Sequence, residues 1–139
     1  MELITDRTEA DVLLANEKGR YRYSDLNRVE QAVAELCTLA VQLDIYPKLT
    51  TKIDWGLPGA FSSDSWPTEE QMIRYLGNIH ALCNCFSLDV ALPSTMAHLT
   101  YQSANDIENA LLSAYLRVQG ILNTYHFSGE IYAGEENYL

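Results

Sequence analysis

Basic residues are scarce in this chain of 139 residues, which has nine Lys and Arg against nineteen Asp and Glu and a formal net charge of −10. An acidic chain is repelled by phosphate backbones and anionic lipid surfaces, which argues against a nucleic-acid or membrane partner. No stretch approaches the roughly 20 apolar residues of a membrane span. The first residues also lack the basic leader and apolar core of a secretion signal. We therefore expect a soluble protein made in the cytosol.

Cysteine is also rare. The chain has three cysteines, Cys37, Cys83 and Cys85, which is an odd number and too few for a disulfide scaffold. The string His80, Cys83, Cys85 suggests part of a metal site. On a helix, however, Cys85 points away from the other two, and structural zinc needs four convergent ligands, of which Cys37 could be the fourth only if its helix lay alongside. We interpret the thiols as small packing residues and predict no metal ion and no cofactor.

Motifs that carry catalysis are missing as well. The sequence has no G-x-S-x-G, no phosphate-binding glycine-rich loop and no H-E-x-x-H. His126 beside Glu130, and His98 near Asp106, are candidate acid-base pairs, but neither comes with a nucleophile or an orienting third group. The sequence therefore predicts no catalytic residue and no enzyme.

Four helices are predicted from capping signals and apolar periodicity. The first runs from about Asp6 to Asn16, with Asp6 and Glu9 as a capping box. The second opens at Ser24 and ends before Pro47, the third starts at Thr68, and the fourth runs from about Thr100 or Ser103 to Thr124. The three long helices supply a predicted core from one apolar stripe each: Leu26, Val29, Val33, Leu36, Ala40 and Leu43; Met72, Leu76, Ile79, Cys83 and Phe86; and Ile107, Leu111, Ala114, Val118, Ile121 and Tyr125.

The fold class that follows is mainly α, a single domain over residues 1–139 built as a three-helix up-down-up bundle with a short N-terminal helix. Residues 49–55 alternate with a period of two and could form a minimal two-stranded β element with residues 130–133. Residues 56–67 are rich in Gly, Pro and Ser and are predicted to form a surface loop. Residues 127–139 are predicted to form an acidic, aromatic C-terminal tail.

A short internal echo links the starts of the second and fourth helices. Tyr23 to Glu30 aligns without a gap on Tyr101 to Glu108, and the two strings share Tyr, Asn, a branched aliphatic residue and Glu. Tyr just before a helix can pack on its apolar face, and Asn in the first turn can bond nearby backbone. We therefore interpret the shared Tyr, Asn and Glu residues as structural helix-start residues and not as ligand-binding residues. They are Tyr23, Asn27, Glu30, Tyr101, Asn105 and Glu108.

Aromatic residues outside the helix faces indicate contacts with other proteins. Tyr and Trp in loops and tails bury large areas at a low cost in entropy. We expect Trp55 and Trp66 to cover the core. In the tail, a partner contact is as plausible as packing, and a basic partner fits the concentration of negative charge after residue 60. The contact candidates are Tyr132, Tyr138, Glu130, Glu135 and Glu136.

Several short strings occur in a fixed order along the chain: Thr5–Val12, Tyr23–Glu30, Thr51–Trp55, Pro67-Thr68 with Met72, Arg74–Leu76 and Asn78, Leu99–Tyr101 with Ala104–Glu108, and Ser128–Glu130 with Gly134-Glu135. Together they resemble a group of uncharacterised proteins encoded in the tail-gene region of prophages from Gram-positive, especially gut, bacteria. The resemblance spans nearly the whole chain. It implies a virion- or tail-associated protein, made in the bacterial cytoplasm and incorporated in the phage particle, and it implies no activity or site residues.

The function expected from the resemblance and the residues together is a non-catalytic structural or adaptor protein of a phage tail or baseplate. It would contact other copies of itself or other phage structural proteins. The alternative is a small cytosolic regulatory or inhibitory protein, encoded by the phage, whose acidic face occupies a basic site on a host protein.

Overall fold

The computed structural model describes residues 2–56 and 67–134, with side chains as far as Thr124. Its helices are α1 (Glu9–Leu14), α2 (Tyr23–Val41), α3 (Glu69–Cys85) and α4 (Tyr101–Gly134). Each of the three long helices packs against the other two. The prediction of a mainly helical protein is therefore confirmed. Among the described residues, no helix combines the length and the apolar character needed to cross a membrane.

Side-chain caps set the starts of α1 and α3. Thr68 accepts a hydrogen bond from the backbone of Gln71, as the predicted start of the third helix requires. The first helix is shorter than predicted, because its capping box is formed by Thr8 and Asp11 and not by Asp6 and Glu9. The residues before Thr8 are extended and lie against α4, as described below.

The predicted apolar stripes form most of one continuous core. Leu36, Ile79, Leu111 and Val118 are fully buried, and Trp55 covers the core as expected. The stripe of α4 leaves the core at Ile121, which is 40 % exposed and not buried as predicted. The reason is the length of α4, which continues beyond the position where α3 ends.

The contacts between the helices show that they run in the same direction. Arg28 in the second turn of α2 binds Glu108 in the third turn of α4, and Glu30 in the third turn of α2 binds Arg74 in the second turn of α3. At the other end, the guanidinium of Arg117 on α4 donates to the carbonyl of Phe86, the residue after α3. These contacts do not fit the predicted up-down-up order, in which the starts of consecutive helices lie at opposite ends of the bundle.

Long connections make the parallel arrangement possible. After α2, residues 49–55 run back along that helix, so that Lys52 lies at Glu30 and Trp55 lies near the start of α2 at Asn27. An extended residue covers about 3.3 Å and a helical residue only 1.5 Å, so a short extended stretch returns the whole length of α2. Gly56 (φ 66°) then turns the chain beside Tyr23, where a Cβ would lie 2.2 Å from a ring carbon.

Two predictions for the second half of the chain need correction. The predicted two-stranded element is not found in the described part of the chain: residues 49–54 form no strand, and residues 130–133 belong to α4. The fourth helix was predicted to end near Thr124, but its backbone is helical to Gly134, so the first part of the predicted tail is helix. Residues 57–66, which make up most of the predicted loop, and 135–139 lie outside the described residues.

Candidate functional site

Asn27 and Asn105, the asparagines of the internal echo, each hold the backbone of one distant residue by two hydrogen bonds. The side chain of Asn27 accepts from the amide of Trp55 (2.8 Å) and donates to its carbonyl (2.9 Å). Asn105 accepts from the amide of Arg7 (3.0 Å) and donates to its carbonyl (3.0 Å). These partners lie 28 and 98 residues away in sequence. The two asparagines therefore fix two extended segments to the bundle.

Glu30 completes the first of these attachments. Its Oε1 accepts from the backbone amide of Lys52 (3.0 Å) and from Arg74 Nη1 (2.6 Å). Its Oε2 accepts from the indole N–H of Trp55 and from Arg74 Nη2 (3.2 Å). We call Asn27, Glu30, Lys52, Trp55 and Arg74 the Glu30 cluster. Arg74 and Asn78 also donate to the carbonyl of Thr50, so the returning segment is held from both α2 and α3.

Glu108 is bound in a similar way, although Arg28 pairs with it through Nε and Nη2, whereas Arg74 pairs with Glu30 through its two Nη atoms. Its Oε1 accepts from the amide of Ile4 (2.9 Å) and from Arg28 Nε (2.8 Å). Its Oε2 accepts from Arg7 Nη2 (2.6 Å) and Arg28 Nη2 (2.8 Å). Asp25 adds a second carboxylate that accepts from Arg28 (2.6 Å) and from Arg7 (3.4 Å). We call Arg7, Asp25, Arg28, Asn105 and Glu108 the Glu108 cluster.

The internal echo thus has a physical meaning that differs from the predicted one. Tyr23 and Tyr101 are the first residues of α2 and α4, as expected of helix-start residues. Asn27, Glu30, Asn105 and Glu108, however, face neighbouring segments and do not bond the start of their own helix in any described hydrogen bond. Their role is to attach the chain that runs back along each helix.

A second echo accompanies the first and was missed in the sequence. Ile4 to Arg7 aligns without a gap on Lys52 to Trp55, and the two strings share only the Asp before the last residue. In each string, the backbone amide of the first residue and the side-chain N–H of the last residue donate to the same buried glutamate. That glutamate is Glu108 for the first string and Glu30 for the second. Arg7 and Trp55 share only a planar N–H donor on a large side chain. Their equivalence can therefore be recognised from the hydrogen bonds in the structure but not from the sequence.

Within the part of the chain that the structure describes, α3 has no equivalent attachment. In α2, the sixth residue is Arg28 and the eighth is Glu30. Helix α3 has Arg74 as its sixth residue but Leu76 as its eighth. Helix α4 has Asp106 as its sixth residue and Glu108 as its eighth. An aspartate and a leucine cannot form the carboxylate-guanidinium pair. The chain that follows α3 packs on the core through partly buried apolar side chains instead: Leu88, Val90, Leu92, Met96 and Leu99.

Burial changes the acid-base behaviour of groups beside the clusters. Desolvation raises the pKa of Tyr21 and of Tyr75 far above the usual value, and the two hydroxyls are hydrogen-bonded to each other. The pKa of Arg28 is also raised, because its bonds to Glu108 and Asp25 outweigh the effect of burial. Both tyrosines therefore stay neutral, and Arg28 stays charged, over the physiological range.

The arrangement suits attachment better than acid-base chemistry. Each buried glutamate accepts four hydrogen bonds, which is about the capacity of a carboxylate, and neither oxygen is left to take a proton from a substrate. Buried carboxylates with such complete pairing fix chain segments in place.

The three cysteines lie in different surroundings. Cys83 is buried, Cys37 is half-buried, and both Cys85 and His80 are exposed. Burial raises the pKa of the Cys83 thiol to about 11. Within residues 2–56 and 67–124, no group of three or more His, Cys, Asp or Glu side chains is placed to hold a metal ion.

The predicted contact residues lie at and beyond the limit of the described structure. Glu130 and Tyr132 belong to the helical backbone of α4, whereas Glu135, Glu136 and Tyr138 lie outside the described residues, so the predicted contact role stays a prediction. The structure shows a different exposed feature. Leu13 and Leu14, at the end of α1, are 80 % and 75 % exposed, and the sequence analysis assigned them no role.

Comparison with models of protein families, with curated proteins and with solved structures finds no match to this chain.

Proposed function

We propose that the chain is a non-catalytic structural or adaptor protein of a phage tail or baseplate, acting through contacts with other copies or with neighbouring tail proteins. The observation that carries the contact role is the pair of adjacent exposed leucines, Leu13 and Leu14. Exposed apolar side chains that lie together, with polar residues around them, are typical of protein contact surfaces. The phage assignment depends on the sequence resemblance.

The mounting of α1 supports this role. The helix is short and contains no buried residue, but the segment before it is fixed to α4 by the Glu108 cluster. The capping box of Thr8 and Asp11 fixes its first turn. The two leucines are therefore presented on a supported element, which lowers the entropic cost of docking.

Mass spectrometry of purified particles from an induced lysogen tests the phage assignment. We expect the chain in the particles at a fixed ratio to the major tail protein. Detection only in the cytosol of induced cells would contradict this assignment and favour the alternative, an acidic inhibitor of a host protein.

Light scattering after size-exclusion chromatography tests the contact role. The purified protein should form a defined oligomer or a complex with a co-expressed neighbouring tail protein. The double variant Leu13→Ser, Leu14→Ser should lose that assembly while keeping its helical circular dichroism. Leu116→Ser, which changes an exposed leucine on α4, should keep the assembly and is the matched control. An unchanged assembly in the double variant would show that α1 is not the contact.

A further inference from the structure

The two ends of this parallel bundle lie far apart, because α4 is much longer than its neighbours. Asn105, near the start of α4, binds the backbone of Arg7 just before α1, and the helix continues to Gly134. At 1.5 Å per residue, the stretch from Asn105 to Gly134 is about 44 Å long. Leu122 is the last described residue that packs against the core, so the end of α4 extends about 18 Å beyond it.

The far end of α4 carries negative charge where a helix favours positive charge. The carbonyl end of a helix attracts cations, but the last turn of α4 contains no basic residue. In the sequence, Glu130 lies just before this end, and Glu135 and Glu136 follow Gly134 directly. Covalent geometry keeps residues 135 and 136 within about 8 Å of Gly134. A cation supplied from elsewhere would therefore stabilise this end of the helix.

The opposite end of the bundle carries exposed cations. Arg22 is the residue before α2, and Arg20 lies two residues earlier. Both are exposed, and neither forms an ion pair with a described residue. A cation beside the positive start of a helix is unfavourable, and Asp25 in that first turn is already bound by Arg7 and Arg28. A carboxylate supplied from elsewhere would therefore stabilise this end.

The exposed arginines lie at the same end of the molecule as the exposed leucines of α1. Gly19 approaches α1 so closely that a Cβ would lie 2.0 Å from the carbonyl oxygen of Asp11, which places the next residue, Arg20, beside that helix. Leu14 is one turn after Asp11. This end thus combines apolar side chains and guanidinium groups that are all exposed. We call the four residues the α1 surface: Leu13, Leu14, Arg20 and Arg22.

We propose that residues 130–136 of one copy, the acidic segment, dock on the α1 surface of a second copy, so that copies associate head to tail. In this segment, Ile131 and Tyr132 lie between Glu130 and Glu135 in sequence. The segment therefore has apolar residues for the leucines and carboxylates for the arginines. Complementary charge sets the orientation of such a contact, and apolar burial supplies most of its free energy. The inference rests on the proposed contact role of α1 and names the partner.

The length of α4 keeps the acidic segment away from the α1 surface of its own copy. The chain after α1 lies at the start of α4, where Lys18 and Gly19 line a cavity together with Thr100 and Tyr101. The acidic segment lies at the other end of that helix, roughly 40 Å away, which no side chain can span. Because the two contacting surfaces differ and each copy retains one of each, association continues until a ring closes or a filament forms.

Mixing two variants tests the head-to-tail arrangement. The leucine variant, Leu13→Ser with Leu14→Ser, has a blocked α1 surface and a native acidic segment. The acidic-segment variant, Glu135→Arg with Glu136→Arg, has a segment that the arginines of the α1 surface repel. In sedimentation velocity, the native protein should associate as its concentration rises, and each variant alone should associate at least about tenfold more weakly. An equimolar mixture should form a 1:1 dimer and nothing larger, because only one pair of complementary surfaces remains.

An exchange of charge within one chain identifies the groups that pair. Arg20→Glu with Arg22→Glu should also weaken association at least about tenfold. Combining these changes with the acidic-segment variant should restore association to within about threefold of the native protein, because both signs are then exchanged. The control is Glu35→Arg with Asp89→Arg, which makes the same change in net charge at exposed residues elsewhere and should stay within about twofold.

The possible failures of this inference and of the proposed function are distinguishable. Unchanged association of the acidic-segment variant, together with loss in the leucine variant, would place the contact between two α1 surfaces. That result would overturn the head-to-tail inference and keep the contact role of α1. A mixture that forms no dimer, or a native protein that stays monomeric up to about 1 mM, would also overturn it. In the last case, a complex with a neighbouring tail protein would still support the proposed function.

Discussion

Glu108→Gln is the sharpest test of the Glu108 cluster as a structural anchor. The substitution keeps the shape of the side chain but removes its charge and replaces one acceptor oxygen by an NH₂ group. The native carboxylate is fully buried and accepts from Ile4, Arg7 and Arg28. In the variant, two arginines are left with Asp25 as their remaining carboxylate.

The expected loss follows from burial. Breaking a buried ion pair by removing one partner costs about 3–5 kcal/mol, because the other charge is left without compensation. Domains of this size unfold with about 5–15 kcal/mol, so the variant should lose a large part of its stability. At about 3–5 °C per kcal/mol, the midpoint of thermal unfolding should fall by about 10–25 °C.

Urea unfolding followed by tryptophan fluorescence and circular dichroism measures this loss. Glu35→Gln, which removes an exposed carboxylate from α2, is the control and should change the free energy of unfolding by less than about 0.5 kcal/mol. The loss in Glu108→Gln should persist in about 1 M salt, since buried pairs are screened much less than exposed ones. Amide exchange at Ile4 and Arg7 should accelerate as well. A loss below about 1 kcal/mol, or one that disappears in salt, would show that Glu108 behaves as a surface pair and would refute the reasoning.

Three further outcomes are expected. Ala15 ends α1 with φ 50°, a backbone conformation that glycine adopts without strain. Ala15→Gly should therefore raise the free energy of unfolding by about 0.5–1 kcal/mol in urea titrations. A decrease would contradict the left-handed conformation of Ala15. A thiol reagent at about pH 8 should modify exposed Cys85 rapidly and buried Cys83, whose pKa is raised to about 11, slowly, and equal rates by mass spectrometry would contradict the buried position. The fold holds Tyr21 and Tyr75 neutral by raising their pKa above 10.0. Their contribution to stability is complete below about pH 10 and is lost as pH rises further, so the urea midpoint should fall there. Of the nine tyrosines, these two should add their share of tyrosinate absorbance only when the protein unfolds.

The Glu30 cluster also explains how α2 and α3 can lie parallel in one chain. Each connection must run back along the helix it has just left, and its backbone amides then lie against apolar helix faces without strand partners. Asn27 and Glu30 supply those partners after α2, and Asn105 and Glu108 supply them for the N-terminal segment. The segments are fixed by side chains in place of a sheet, which is why the alternating pattern of residues 49–55 does not lead to a strand.

Local physics was sufficient for much of this fold. The spacing of Leu26, Val29, Val33 and Leu36 determines a helix with one buried face, and Thr68 with Gln71 determines where α3 starts. The repetition of Tyr, Asn and Glu in α2 and α4 could also be found without coordinates. These features depend on residues within a few turns of one another, where the chain itself fixes the distances.

Tertiary structure alone decided the rest. Helix direction depends on how far a connection travels, and an apolar stripe has the same spacing in a helix that runs up or down. The meeting of Glu108 with Arg7 joins residues 101 apart in sequence, and no local pattern specifies which arginine reaches which carboxylate. The sequence by itself determined that Asn105 and Glu108 lie at the start of a long helix. Only the folded chain could show that they hold the N-terminal segment, because the free energy of a buried ion pair exists only after packing has excluded water around it.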